Sequence, residues 1–263
     1  MSARSPLILL PPSEGKAVGG DGDPWAPGTM QIDLDAPRRK MMAAVARAMR
    51  QNQAARAKLL GVKGVALAAA TETDRQLRTS PTMPAIERYT GVLYDALDVS
   101  SLPEDERTRL DQSVLVVSGL WGLVAPSDPI PDYKLKMGAS LPGIGRTTSW
   151  WRPFLSEQLA IESAGRTVWS LLPNEHAAAW AAPADTAQFA VKFLERRPDG
   201  MLVAVSHWNQ LLKGALVRFL LANPGATPET LADWHHPLGY RLDLSLTVTE
   251  GDVTQLSLVQ DPA

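Results

Sequence analysis

The chain of 263 residues contains no cysteine. That absence excludes a disulfide scaffold, a thiolate metal site, an iron–sulfur cluster and a cysteine nucleophile. Aromatic residues make up 6%, and the eight Trp against four Phe read as core and rim packing rather than as stacking platforms. Long apolar runs are missing as well. Leu7-Ile8-Leu9-Leu10 stops at Pro11-Pro12, short of the ~7–15 apolar residues of an export signal. No stretch reaches the ~20 residues of a membrane-spanning helix. The expected location is therefore the cytoplasm, with no membrane partner. A net charge of −2 excludes a nucleic-acid coat protein or a polybasic membrane binder.

One absence is local. Between Ala36 and Ala70 there is no Asp or Glu, but there are Arg38, Arg39, Lys40, Arg47, Arg50, Arg56, Lys58 and Lys63, so this segment carries +8 and the remainder −10. The near-neutral total hides a polarised surface, and one face is expected to grip an anion.

What is present reads as a mixed α/β chain. Leu7–Leu10 and Val114–Val117 are short apolar runs closed by turn residues, the pattern of strands buried on both faces. Further strands are expected at 167–172, 189–194 and 202–206. Arg38–Leu60 reads as one helix with Pro37 in its first turn, and Val65–Leu77 as a second, joined at Gly61-Val62-Lys63-Gly64. Other helices are expected near 104–110, 150–161, 175–180 and 211–222, and 85–97 reads as helical or mixed. Gly122–Pro142 reads as a long Pro- and Gly-rich loop, a length that is usually functional. Tyr240–Val248 alternates apolar and polar residues and turns at Glu250-Gly251-Asp252 into a closing β-hairpin. There is no repeat and no linker. The expectation is one domain over residues 1–263, an irregular mixed α+β form of α/β. It has a central mixed sheet, flanking helices, a helical hairpin near 37–78 and a C-terminal hairpin.

Several segments carry chemistry. Pro11-Pro12-Ser13-Glu14-Gly15-Lys16 follows a buried strand, where polar residues commonly line a crevice. Glu14 is a candidate base and Lys16 an anion holder, although the glycine spacing is not that of a phosphate-binding loop. Asp132-Tyr133-Lys134-Leu135-Lys136 puts Lys134 and Lys136 on one side of an extended chain. Arg88-Tyr89 pairs a guanidinium with an aromatic ring, a combination that clamps phosphates or stacks bases. Ser118 closes the second strand outside any Gly-x-Ser-x-Gly elbow. Lys63 sits in a Gly-bearing turn between helices, whose amides can meet a phosphate. Lys213 and Arg218 lie on different sides of their helix, so only one of them points inward. His176, His207, His235 and His236 show no ligand spacing, and no metal or cofactor is expected.

The combination of Pro-Pro-Ser-Glu-Gly-Lys, Arg-Tyr-Thr-Gly-Val-Leu-Tyr (88–94), Ser-Gly-Leu-Trp-Gly (118–122) and Tyr-Lys-Leu-Lys-Met-Gly (133–138) resembles the peroxide stress protein YaaA family. The likeness runs from Leu7 to about Leu258. It implies a single α/β domain with a basic cleft, a role in peroxide stress through limiting free iron, and DNA binding by a helix–hairpin–helix-like element. Two departures stand out. The hairpin is Gly-x-x-Gly rather than Gly-x-Gly, and Gln210 and Leu211 stand where some relatives carry lysines. Without a thiol, the chain cannot be a cysteine-based peroxide scavenger.

The favoured expectation is thus a stress protein that binds DNA, with Lys16, Lys63, Arg88, Tyr89, Ser118, Lys134, Lys136 and Lys213 as anion or nucleic-acid contacts. The alternative is an enzyme acting on a small anionic or nucleobase-like ligand, with Glu14, Lys16, Tyr133 and Lys134 as catalytic candidates. The positions of Lys16, Arg88, Lys134 and Lys136 separate the two: one pocket favours an enzyme, an open groove beside the basic helix favours DNA.

Overall fold

The computed structural model describes residues 5–205 and 209–261. A nine-stranded sheet has the order Arg241–Leu242, Val253–Gln260, Gln188–Arg196, Val168–Ser170, Leu7–Leu10, Val114–Ser118, Gly122–Val124. Leu202–Ala204 pairs with Gln188–Arg196, and Val248–Glu250 with Val253–Gln260. The five strands from Val253–Gln260 to Val114–Ser118 run parallel. Leu7–Leu10 lies inside the sheet, with Ile8 beside both Val114 and Trp169. All four of its side chains are buried, as a parallel strand covered on both faces requires. Antiparallel strands close the edges.

Ten helices flank this sheet among the described residues. The first three are α1 (Asp35–Ala48), α2 (Gln53–Leu60) and α3 (Gly64–Arg75). The single helix expected over Arg38–Leu60 is two, because Asn52 takes the Ala55 amide on its side chain and starts α2 afresh. α2 ends on Gly61 at φ 68°, a left-handed conformation that suits glycine.

Two other expectations change. The strand read over Tyr240–Val248 pairs only at Arg241–Leu242. Asp243 then takes the Ser245 amide on its carboxylate and winds Leu244–Leu246 into a 3-10 turn, before the Val248–Glu250 hairpin forms. The Gly122–Pro142 loop contains an edge strand, Gly122–Val124, and two short ladders tie this region down: Pro129–Ile130 with Met83–Pro84, and Ser140–Leu141 with Gly145–Arg146. Ser206, the expected end of the Leu202 strand, and His207 lie outside the described residues.

The sheet grows from Leu7–Leu10 to Val114–Ser118 on one side and to Val168–Ser170 on the other. Ligand crevices form beyond the carboxyl ends of parallel strands at such a reversal. The Pro11–Lys16 turn and Ser118 both stand there.

A cationic cleft at the strand ends

The Pro11–Lys16 turn is pinned to the Arg88–Thr90 segment. The Thr90 amide donates to Ser13 Oγ at 3.1 Å, Ala17 N to Arg88 O at 2.8 Å, and Lys16 and Tyr89 form an isolated bridge. Across from the turn, residues 133–137 alternate, with Tyr133, Leu135 and Met137 buried and Lys134 and Lys136 turned the other way. Gly119 allows this segment to lie close, since a Cβ there would come within 2.8 Å of the Met137 nitrogen. The Lys134 amide is fixed by Asp74 Oδ1 at 2.8 Å, reaching from the last turn of α3.

A cleft of about 260 Å³ results, lined by Pro12, Ser13, Glu14, Lys16, residues 134–137, Glu175 and His176. Glu14 Oε1 lies 3.0 Å from Lys136 Nζ and Glu14 Oε2 3.8 Å from Lys134 Nζ. The hydrogen bond from Lys136 holds the Glu14 carboxyl below its ordinary value, so Glu14 stays ionised and makes a poor proton acceptor. A second cavity of about 310 Å³ shares Pro12, Ser13 and Glu14 and continues along Thr90–Tyr94.

Lys16 stands apart from the other two lysines. Its Nζ donates to Ser13 O at 3.2 Å and lies 4.2 Å from the centre of the Tyr133 ring. Burial pulls its amine down to about 8, with Lys134 adding to the fall and Asp132, Asp74 and Glu14 opposing it. Beneath it runs a hydroxyl chain. Ser118 Oγ accepts the amides of Leu120 and Trp121 at 3.2 and 3.1 Å, so its own proton goes to Tyr133 OH at 2.8 Å. Tyr133 OH meets Tyr89 OH at 2.9 Å. Burial pushes the Tyr133 hydroxyl up to about 12. Tyr89, Ser118 and Tyr133 are therefore an un-ionised floor that fixes the place of Lys16.

The remaining expected site residues are placed elsewhere. The Arg88 guanidinium is buried and donates to the carbonyls of Ala17, Gly19 (2.8 Å), Ile130 (3.3 Å) and Pro81 (3.4 Å), which ties loops together and leaves nothing facing the cleft. Lys213 is buried and donates to Leu171 O at 2.8 Å, and Arg218 reaches Leu97 O at 2.8 Å, so of the two it is Lys213 that points inward, to a backbone carbonyl. Lys63 is exposed at the start of α3. The α2–α3 turn adjoins the cleft: a Cβ at Gly61 would lie 3.6 Å from Lys136 Nζ.

Two residues escape a reading of the sequence. Asp74 is only 1% exposed, and its Oδ2 has no partner. Burial raises its carboxyl to about 7. His176 lines the cleft with an unpartnered Nδ1, and burial lowers it to about 4, leaving the ring neutral. A charged helix end and an isolated His carry no local signal of this. Among the described residues no group of three or more His, Asp or Glu is placed to hold a metal ion, and no helix is long and apolar enough to cross a membrane.

The fold and site define an α/β protein with a cationic cleft at the carboxyl ends of its parallel strands. Residues 7–246 match the family model described as peroxide stress protein YaaA, and the chain belongs to that family. A UPF0246 protein of Streptomyces coelicolor is 36% identical over 242 residues, covering 90% of this chain and 92% of its own. UPF0246 proteins of Corynebacterium glutamicum and Corynebacterium efficiens are 35% and 31% identical, covering 81% and 96% of this chain and 84% and 99% of their own.

Proposed function

We propose that the cleft binds a compact anionic ligand and acts on it, and that this is how the chain serves in peroxide stress. The observation that carries the reading is the meeting of Lys134 and Lys136 on one carboxylate, Glu14, in a concave site that Lys16 also lines. A site of convergent polar groups over a fixed hydroxyl floor has more specification than a polyanion needs. Lys134 and Lys136 hold the negative group, displacing Glu14. The neighbouring cavity, walled by Pro11, Val92 and Leu93, takes the less polar part. Limitation of free iron is then a consequence of the reaction.

Adenosine monophosphate serves as a probe that joins a phosphate to a nucleobase. Calorimetry is expected to show binding that weakens about tenfold or more when Lys134 and Lys136 are both replaced by Ala, a loss of roughly 1.4 kcal/mol or more. The Lys134 amide keeps its bond to Asp74 in that variant. Glu14→Gln, which frees both ammonium groups, is expected to tighten binding. Equal affinity in all three proteins would sink the reading.

DNA is the second reading, favoured by the basic hairpin. Arg39, Lys40, Arg47, Arg50, Lys58 and Lys63 are exposed, and the α2–α3 turn meets the cleft at Gly61. Duplex DNA titrated at several salt concentrations is expected to lose affinity with a log–log slope of about 0.9 per phosphate contact, and Lys58→Ala with Lys63→Ala to lower that slope by about 2. A salt-independent response excludes this reading.

A further inference from the structure

Of the cleft lysines, Lys134 and Lys136 share Glu14, whereas Lys16 has no carboxylate within ion-pair distance among the described residues. One N–H of Lys16 goes to Ser13 O, and the ammonium faces the Tyr133 ring. An amine held out of water in this way loses its proton more readily than an exposed one, and the uncharged nitrogen is nucleophilic. Lys213 provides the contrast. It is as strongly desolvated, to about 8, but its head group is buried against Leu171 O and lines neither cavity at the Ser13–Glu14 turn.

Resting on the anion-binding reading of the cleft, we propose that Lys16 is its reacting amine and that the ligand is an aldehyde or ketone carrying a negative group. Lys134 and Lys136 seat that group, and the uncharged Lys16 nitrogen attacks the carbonyl carbon. The N–C bond forms, both amine protons leave with the carbonyl oxygen as water, and an imine remains. Neither oxidant nor reductant is needed. The charged groups around Lys16 are Asp132 and Lys134 on the extended segment, Asp74 on α3 and Glu14 on its own turn. Asp74 is a positioning residue: it anchors the Lys134 amide and supplies negative charge that favours the proton on Lys16.

Pyridoxal 5′-phosphate, an aldehyde bearing a phosphate, is the probe. Borohydride adds hydride to an imine and makes the adduct permanent, and peptide mass spectrometry then locates it. At pH 7 the expected label is on Lys16, on the order of tenfold or more above exposed Lys40, Lys58 and Lys63 and above Lys213. Its yield rises as pH passes about 8. Asp74→Asn is expected to move that rise to lower pH, an effect that loss of packing alone does not produce. Labelling in proportion to exposure, or of Lys213 as readily as Lys16, overturns the proposal. If the probe displaces adenosine monophosphate but leaves Lys16 unlabelled, the amine role falls and the cleft reading stands. If it neither displaces nor labels, both fall.

Discussion

Replacing Arg38 by Ala is expected to destabilise the protein by about 3–5 kcal/mol, far more than any other member of the basic segment. Its guanidinium is fully buried and gives three hydrogen bonds: Nε to Trp121 O at 3.0 Å, Nη1 to Ile32 O at 2.8 Å and Nη2 to Leu123 O at 2.8 Å. These bonds tie α1 to the edge strand Gly122–Val124 and to the loop before α1. Asp35 lies 3.6 Å from Nη1. Truncation orphans three carbonyls, leaves Asp35 without its cation, and opens a cavity the size of the side chain. Arg38→Lys keeps the charge but not the planar fork that reaches all three carbonyls, so it is expected to lose most of the same stability. Arg39, the next residue, is exposed, and Arg39→Ala is expected within about 0.5 kcal/mol of wild type. Thermal unfolding checks the contrast, with a fall in Tm on the order of 10 °C for Arg38→Ala. Equal midpoints for the two alanine variants would refute it.

Arg38 also shows where a sequence stops being informative. Counting charge assigns it to an anion-binding face, but nothing in its neighbours says whether the head group points to water or to carbonyls 83 and 85 residues away. Arg88 and Lys213 likewise turn their head groups to backbone carbonyls. A long cationic side chain satisfies buried backbone as readily as it meets a phosphate. The core strands were legible, because a parallel strand covered on both faces must be apolar throughout, and Leu7–Leu10 and Val114–Val117 are. The pairing of Lys134 with Lys136 was legible too, since the two-residue period of extended chain is set locally. Boundaries governed by one side-chain bond were not. Asn52 restarts a helix that composition would continue, and Asp243 interrupts an alternation that reads as strand. Asp74 sits in Thr-Glu-Thr-Asp-Arg, a solvated helix end by composition, yet it is buried and holds the amide of residue 134 from 60 positions away.

That burial gives Asp74 the second large effect, and its sign is opposite. An aspartate whose carboxyl lies near 3.8 unfolded and about 7 folded binds its proton more tightly in the native state. The stabilisation from that proton is complete below 3.8 and is lost as pH rises to about 7. Above that, the native state holds an ionised carboxylate that has one amide partner and an unpartnered oxygen. The gap corresponds to roughly 4 kcal/mol. Asn at this position keeps an oxygen for the Lys134 amide and does not titrate. Whatever constant difference its NH2 group introduces, the stability of Asp74→Asn relative to wild type is therefore expected to move by roughly 4 kcal/mol in the variant's favour between pH 4 and pH 8. Urea unfolding at the two pH values measures this directly. A difference that stays flat, or moves toward wild type, would show that Asp74 is ionised and satisfied in the folded protein. The expected outcome couples two properties of one side chain. The carboxylate that weakens the fold at neutral pH is also a negative charge beside Lys16, so its removal is expected both to change how stability depends on pH and to move the pH range over which the cleft amine reacts.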